Sequence, residues 1–339
     1  MSGISFPAEW YPQSGVQVTW PHGATDWCEM LDEVTQCYIA FSREILQRQK
    51  LLVVAPPSVD VKQFFDTEEQ KNLLCATIAS NDTWARDHGG ISVFDHHKPT
   101  VIDFGFNAWG LKFAANLDNQ ITGSIFRSTI FKAGVDYQNR LNFILEGGAI
   151  ESDGKGTILT SSCLLAPNRN QPMNQLEIED YLKSNLGADR ILWLHHGYLA
   201  GDDTDSHVDT LARFCDEETI AYVKCDDESD EHFIELRAME EELQSFVAYN
   251  GKPYRLIPLP MADAIYEGDE RLPATYANFL IINGAVLLPF YGTAKDILAQ
   301  EKLQEVFPDR EVIGIDCRAL IKQHGSLHCV TMQFPEGFM

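Results

Sequence analysis

The residue with the plainest chemical potential is a cysteine behind a glycine-serine turn: Gly325-Ser326-Leu327-His328-Cys329-Val330-Thr331-Met332-Gln333 places Cys329 at the start of an expected strand. A lone cysteine is usually a small core residue, and Cys28, Cys37, Cys75, Cys163, Cys215, Cys225 and Cys317 are read that way. Cys329 differs by its company. In Gly201-Asp202-Asp203-Thr204-Asp205-Ser206-His207-Val208-Asp209 an Asp-rich turn runs into an expected strand. Residues two apart on a strand share a face, so His207 and Asp209 would form one pocket wall. Two further segments carry carboxylates: Asn81-Asp82-Thr83-Trp84-Ala85-Arg86-Asp87-His88-Gly89-Gly90, and Leu145-Glu146-Gly147-Gly148-Ala149-Ile150. The set holds a nucleophile, an acid/base and an anionic clamp. Paired carboxylates beside a thiol do not suit acyl transfer, whose oxyanion needs donors. They suit a flat cation: a guanidinium offers its donors in a rigid fork and leaves its central carbon open to a thiolate above the plane. Taken singly, each segment has a plainer reading. Around Asp87 it is a capping turn with an Arg86-to-carboxylate pair, at Glu146 an ordinary turn residue, and at 201–209 an acidic surface loop or a divalent-metal site. For a metal, the Gly and closing Glu of a calcium loop are missing, as are the extra His or Cys that zinc would want.

The elements that would position these residues belong to a soluble globule of 339 residues with 45% hydrophobic and 22% charged residues. Its net charge of -24 repels phosphate backbones and anionic membrane surfaces, so nucleic-acid and membrane partners are not expected, whereas small cations are attracted. Eight cysteines without CxxC pairs read as reduced thiols. The first residues show no basic-then-apolar leader, and apolar runs such as 285–290 fall short of a membrane span; the expectation is a cytoplasmic protein. Leu31, Val34, Tyr38, Phe41 and Ile45 predict a helix over 29–48, followed by a strand at 51–55. Helices are expected near 60–74, 175–186, 231–247 and 294–307, with strands near 91–94, 191–194 and 312–315. That alternation means an α/β architecture with no linker to mark a domain boundary. The clusters at Asp87, Glu146, His207 and Cys329 recur at intervals of 59, 61 and twice 61 residues, with a less polar cluster at 278–284 in the long gap. Five units of about sixty residues around an axis would bring them to one centre.

The motifs resemble the agmatine deiminase (agmatine iminohydrolase) family, related to bacterial-type peptidylarginine deiminases. The resemblance covers nearly the whole chain: segments 6–10, 20–22, 82–87, 103–110, 146–148, 201–209, 272–279, 283–284 and 307–310, and His328 with Cys329. It implies a single catalytic domain, 1–339, with the five-fold pseudosymmetric α/β-propeller of guanidine-modifying enzymes. It also implies hydrolysis of agmatine to N-carbamoylputrescine and ammonia. By the same resemblance Cys329 is the nucleophile, His207 the acid/base, Glu146 the support of that imidazole, Asp87 and Asp209 the guanidinium pair, and Trp84 and Trp109 pocket-lining aromatics. No metal or organic cofactor is required. The family usually has Pro at Gly90, Gly at Ser206, at Leu111 and at Gln323 to His324, and Asn at Ser326; these departures touch entrance loops and bear on the substrate. Free or peptidyl arginine, another alkylguanidine, amidino transfer and a non-catalytic guanidine-binding propeller stay open, as does homo-oligomerisation.

Overall fold

The computed structural model describes residues 3–339, so the first two residues of the segment read for a leader lie outside it. Among the described residues the chain forms five sheets of three or four strands and one two-stranded ribbon, a mixed α/β fold. One pattern recurs in all five sheets: an antiparallel pair whose second strand lies parallel to a third. The units are Ile91–Asp95, Lys98–Gly105 and Asp136–Ile144; Ile150–Ser152, Thr157–Ser161 and Arg190–Leu194; Ala212–Phe214, Thr219–Lys224 and Arg255–Pro260; and Leu280–Ile282, Ala285–Phe290 and Glu311–Asp316. The fifth joins both ends of the chain, Thr331–Pro335 pairing with Gln13–Thr19 and that strand with Lys50–Ala55.

A parallel neighbour requires a crossover, and each unit supplies a helix between its second and third strands. These are Ile121–Arg127, Gln175–Leu186, Phe233–Ser245, Ala294–Val306 and Leu31–Leu46. Local sequence accounts for their ends. Asn174 with Glu177, and Thr293 with Asp296, close capping boxes, while Gly187 takes the left-handed conformation (φ 71°) that stops its helix. The helix 31–46 buries Val34, Tyr38, Phe41 and Ile45 against the wholly buried strand residues Leu51 and Val53.

Three local expectations are corrected. Residues 60–74 are not a helix but two 3₁₀ turns, Val61–Phe64 and Glu69–Lys71, then the strand Leu73–Thr77. Asp60 and Asp66 accept backbone N–H groups of their own turns, competing with helical bonding, and Leu73 onward gains a parallel ladder along Leu51–Ala55. His207 and Asp209 stand not on a strand but at the head of a 3₁₀ turn, Val208–Thr210. Cys329 sits in the turn ahead of Thr331–Pro335 rather than in the strand.

Candidate active site

Five chain segments, each immediately ahead of the first strand of one sheet, come together. They are the one-turn helix Ala85–His88, the turn after Glu146, the His207 turn, the stretch at Asn278 and the turn at Cys329. A cavity of about 130 Å³ is lined by Cys329, Asp87, Trp84 and Trp109, with Thr204 and Thr210. Its mouth carries Asp26, Asp82, Asp202, Asp203, Phe113, Gln323 and His324. His207, Asp209 and Glu146 stand behind this wall, all at most 1% exposed. All seven residues singled out from sequence therefore lie in or directly behind one cavity.

Gly148 explains how so much polarity fits. Its backbone N–H donates to Asp87 Oδ1 at 3.0 Å. A Cβ there would lie 2.7 Å from His207 Nδ1, 2.9 Å from Asp87 Oδ1 and 3.1 Å from Asp209 Oδ1, so three functional side chains face one point that only glycine leaves free. Gly147 likewise lies against the Arg86 carbonyl. Gly325 leaves room for the Trp84 ring, whose indole N–H donates to Asp82 at 2.9 Å. Trp109, in a left-handed conformation (φ 55°), donates to Asp87 Oδ2 at 3.0 Å and so aims that carboxylate.

His207 lies 3.6 Å from Asp87 through Nδ1 and 3.7 Å from Glu146 through Nε2. Burial works against its charge, but Asp87 and Glu146 hold it up at about 9, so the imidazolium is the resting form at neutral pH. Glu146 is fixed by buried Arg169, whose Nε donates to it at 3.1 Å, while Arg169 also binds Asp205 and the Thr204 carbonyl. Although burial raises Glu146, His207 and Arg169 bring it below its usual value. Burial, with Asp209 and Glu146 nearby, pushes Asp87 up to about 6 against the pull of His207. Asp209 goes the other way: a hydrogen bond from His328 at 2.7 Å outweighs its burial and holds it low. Its Oδ1 and His207 Nε2 are buried without a hydrogen-bond partner. Burial, then Asp209 and Asp87, push the Cys329 thiol well above its ordinary range. Its Sγ lies 3.4 Å from Asn278 Oδ1 and 4.0 Å from Asp209.

Sequence reasoning passed over Asn278, His328, Arg169 and Glu9. Asn278 had a signal, since it opens the cluster that fills the long gap in the sixty-residue spacing. His328 had adjacency to Cys329 and Glu9 lay in the 6–10 segment that shares in the resemblance, but Arg169 lies in a segment with no chemical pattern. Of the departures, Gln323 and His324 line the mouth, whereas Gly90 packs on Val101 and Thr122 in the core, and Ser326 bonds Tyr291 at 2.9 Å. Leu111, Ser206 and His324 all hold left-handed φ, from 66° to 71°, which accounts for the glycines expected there. Glu9, Glu151 and His328 are close enough to suggest a metal cage, but the Arg213 guanidinium already occupies it, donating to Glu151 and to Glu9.

A mixed α/β scaffold that buries a thiol and an imidazole among carboxylates defines an enzyme of the guanidine-modifying, C–N-hydrolysing class, and comparison with known proteins agrees. A chain from Porphyromonas gingivalis proposed as an arginine deiminase is 55% identical, covers 99% of each chain and superposes with a TM-score of 0.96. An agmatine deiminase of C. jejuni solved with substrate bound is 38% identical, covering 99% of this chain and 97% of that one at a TM-score of 0.92. A proposed agmatine deiminase of Legionella pneumophila is 32% identical over 99% of this chain and 96% of its own. The chain belongs to the Porphyromonas-type peptidyl-arginine deiminase family, whose profile matches residues 5–335. No helix among the described residues is long and apolar enough to cross a membrane.

Proposed function

We propose that this enzyme hydrolyses agmatine to N-carbamoylputrescine and ammonia through a covalent adduct on Cys329. The observation that carries the reading is the cavity itself: a thiol facing Asp87, with Asp209 behind it, and a mouth of four aspartates. A guanidinium held by Asp87 and Asp209 neutralises the two charges that oppose thiolate formation, so the Cys329 thiol gives up its proton to solvent water as the cation arrives and the nucleophile is made then. The thiolate attacks the central carbon. His207, already an imidazolium, gives its proton to the departing nitrogen, and ammonia leaves a thiouronium behind. The neutral imidazole then takes a proton from the water that adds to that carbon, and the carbon–sulfur bond breaks to release the ureido product. Glu146, locked by Arg169, keeps the imidazole oriented and charged. Trp84 and Trp109 wall the substrate, Trp109 also setting the Asp87 carboxylate. No step calls on a metal or organic cofactor.

The mouth selects the substrate class. Asp26, Asp82, Asp202 and Asp203 suit the second positive charge of agmatine and repel an α-carboxylate, and Lys112 beside them is engaged by Asp205 and the Asp203 carbonyl. Arginine is the rival, favoured by the likeness to the Porphyromonas chain. Steady-state ammonia release from agmatine, arginine and blocked arginine decides: agmatine is expected to lead, and a tenfold preference for either other compound overturns the assignment. The reading includes a single domain over 1–339 with the five sheets set around one axis as a five-fold α/β-propeller. It is supported by the repeated strand pattern, by five convergent segments, and by closure of the fifth sheet by both chain ends.

A further inference from the structure

His328 is the most enclosed imidazole near the reacting atoms that the chemistry above does not use. It is 1% exposed and its two nitrogens each meet a carboxylate oxygen at 2.7 Å: Nδ1 faces Asp209 Oδ2 and Nε2 faces Glu9 Oε2. Both nitrogens are thus placed to donate. Glu9 is itself immobilised. Its Oε1 accepts the Ile281 backbone N–H at 2.7 Å, its Oε2 accepts from Arg213 at 2.8 Å, and Arg86 lies at 3.7 Å. Arg213, fully buried, also donates to Glu151 and to the Phe279 carbonyl. A continuous polar chain therefore runs from Arg213 through Glu9 and His328 to Asp209, and it ends by occupying one carboxylate oxygen while leaving the other, Oδ1, without a partner. That free oxygen faces the same point beside Gly148 as Asp87 Oδ1 and His207 Nδ1.

We propose that His328 is a positioning residue, which, braced by Glu9 and Arg213, fixes the Asp209 carboxylate with Oδ1 presented to the guanidinium. This rests on Asp209 being a guanidinium ligand. The charged or titratable groups around that carboxylate are His328 and Cys329 from the nucleophile turn, Glu9 from the N-terminal segment, and Arg213 from the strand Ala212–Phe214. Arg86 and Asp87 face it from the one-turn helix, Glu151 from the strand Ile150–Ser152, and His207 from its own loop. Of these only His328 lies within hydrogen-bond distance of the Asp209 carboxylate through a nitrogen. Without it burial stands less opposed, so Asp209 would take up its proton at a higher pH and bind cations less well.

The test measures agmatine binding calorimetrically across a pH series in a Cys329→Ala background, which cannot turn over. His328→Leu is expected to raise Kd by about tenfold or more and to move the acid limb of binding, which Asp87 sets in the parent, upward into a steeper two-proton fall as Asp209 titrates beside it. His328→Gln, which restores one donor toward Asp209, is expected to recover part of both. If both variants bind agmatine as the parent does, with the acid limb unmoved, the proposal is overturned even where their thermal midpoints fall. Should His328→Leu not fold, Glu9→Gln is judged by the same two readouts. Asp209→Asn separates the two ideas: no loss of binding there overturns the guanidinium assignment itself, whereas a loss there with unchanged His328 variants overturns only the role given to His328.

Discussion

The floor and the mouth of the cavity are both acidic but act by different physics. On the floor, Asp87, Asp209, Glu146 and His207 are at most 3% exposed, and each carboxylate is assigned its own donors: Trp109 and Gly148 on Asp87, His328 on Asp209, Arg169 on Glu146. Desolvation pushes both aspartates upward, yet Asp87 ends raised and Asp209 lowered, because of the two only Asp209 has a hydrogen-bonded imidazole behind it. At the mouth, Asp26 is exposed and Asp202 and Asp203 partly so, water screens them, and their effect is to collect cations rather than to hold one, while Asp82, which burial pushes up to about 6, stands between the two regions. Burial, rather than the number of acids, separates the two regions.

The deepest break in the comparison comes at the nucleophile. Cys329→Ala is expected to lower the rate of ammonia release by about 10⁴-fold or more, since no other group in the cavity can form the adduct; residual release near the parent rate would show that the floor does not do the chemistry. Acidity supplies a more graded test. Asp87 must be ionised to clamp a cation, and its carboxyl, held at about 6, is protonated as pH falls through that value. His207 must be protonated to release ammonia, and with its value raised to about 9 it loses that proton as pH climbs through it. Because the two side chains lie 3.6 Å apart they titrate as a pair. The pH profile of kcat/KM is therefore expected to be a bell with limbs near those values, each falling about tenfold per pH unit. A flat profile across either limb would remove the corresponding group from the mechanism. The mouth should respond least: Asp203→Asn is expected to raise the KM for agmatine about two- to fivefold, with kcat nearly unchanged and the effect shrinking in high salt. A kcat loss as large as its KM change would mean that the mouth shares in the chemistry.

The comparison also separates what was legible from what was not. The α/β alternation and most of its helices could be read from local sequence, because 31–46, 175–186 and 233–245 each keep an apolar face at helical spacing and 175–186 and 294–306 begin in capping boxes. The stretch 60–74 misled because Asp60 and Asp66 close local turns, and because Leu73–Thr77 becomes a strand only when a parallel neighbour is available along Leu51–Ala55. His207 and Asp209 were paired by a strand rule that does not apply, yet a 3₁₀ turn brings both to the point beside Gly148. Six of the seven candidate site residues carried marks in their own segments, namely unusual polarity, a neighbouring glycine or regular spacing; Trp109 was reached only through the resemblance.

By itself the sequence determined the identity of the chemical groups, the helical and strand periodicities and the acidic character of the whole, since side-chain type and local spacing are properties of short segments. Tertiary structure alone decided which acid is charged and which oxygen is free. Those depend on partners delivered from far along the chain, His328 donating to Glu9 across 319 residues and Trp109 to Asp87 across 22, and on exclusion of water, a property no single segment possesses.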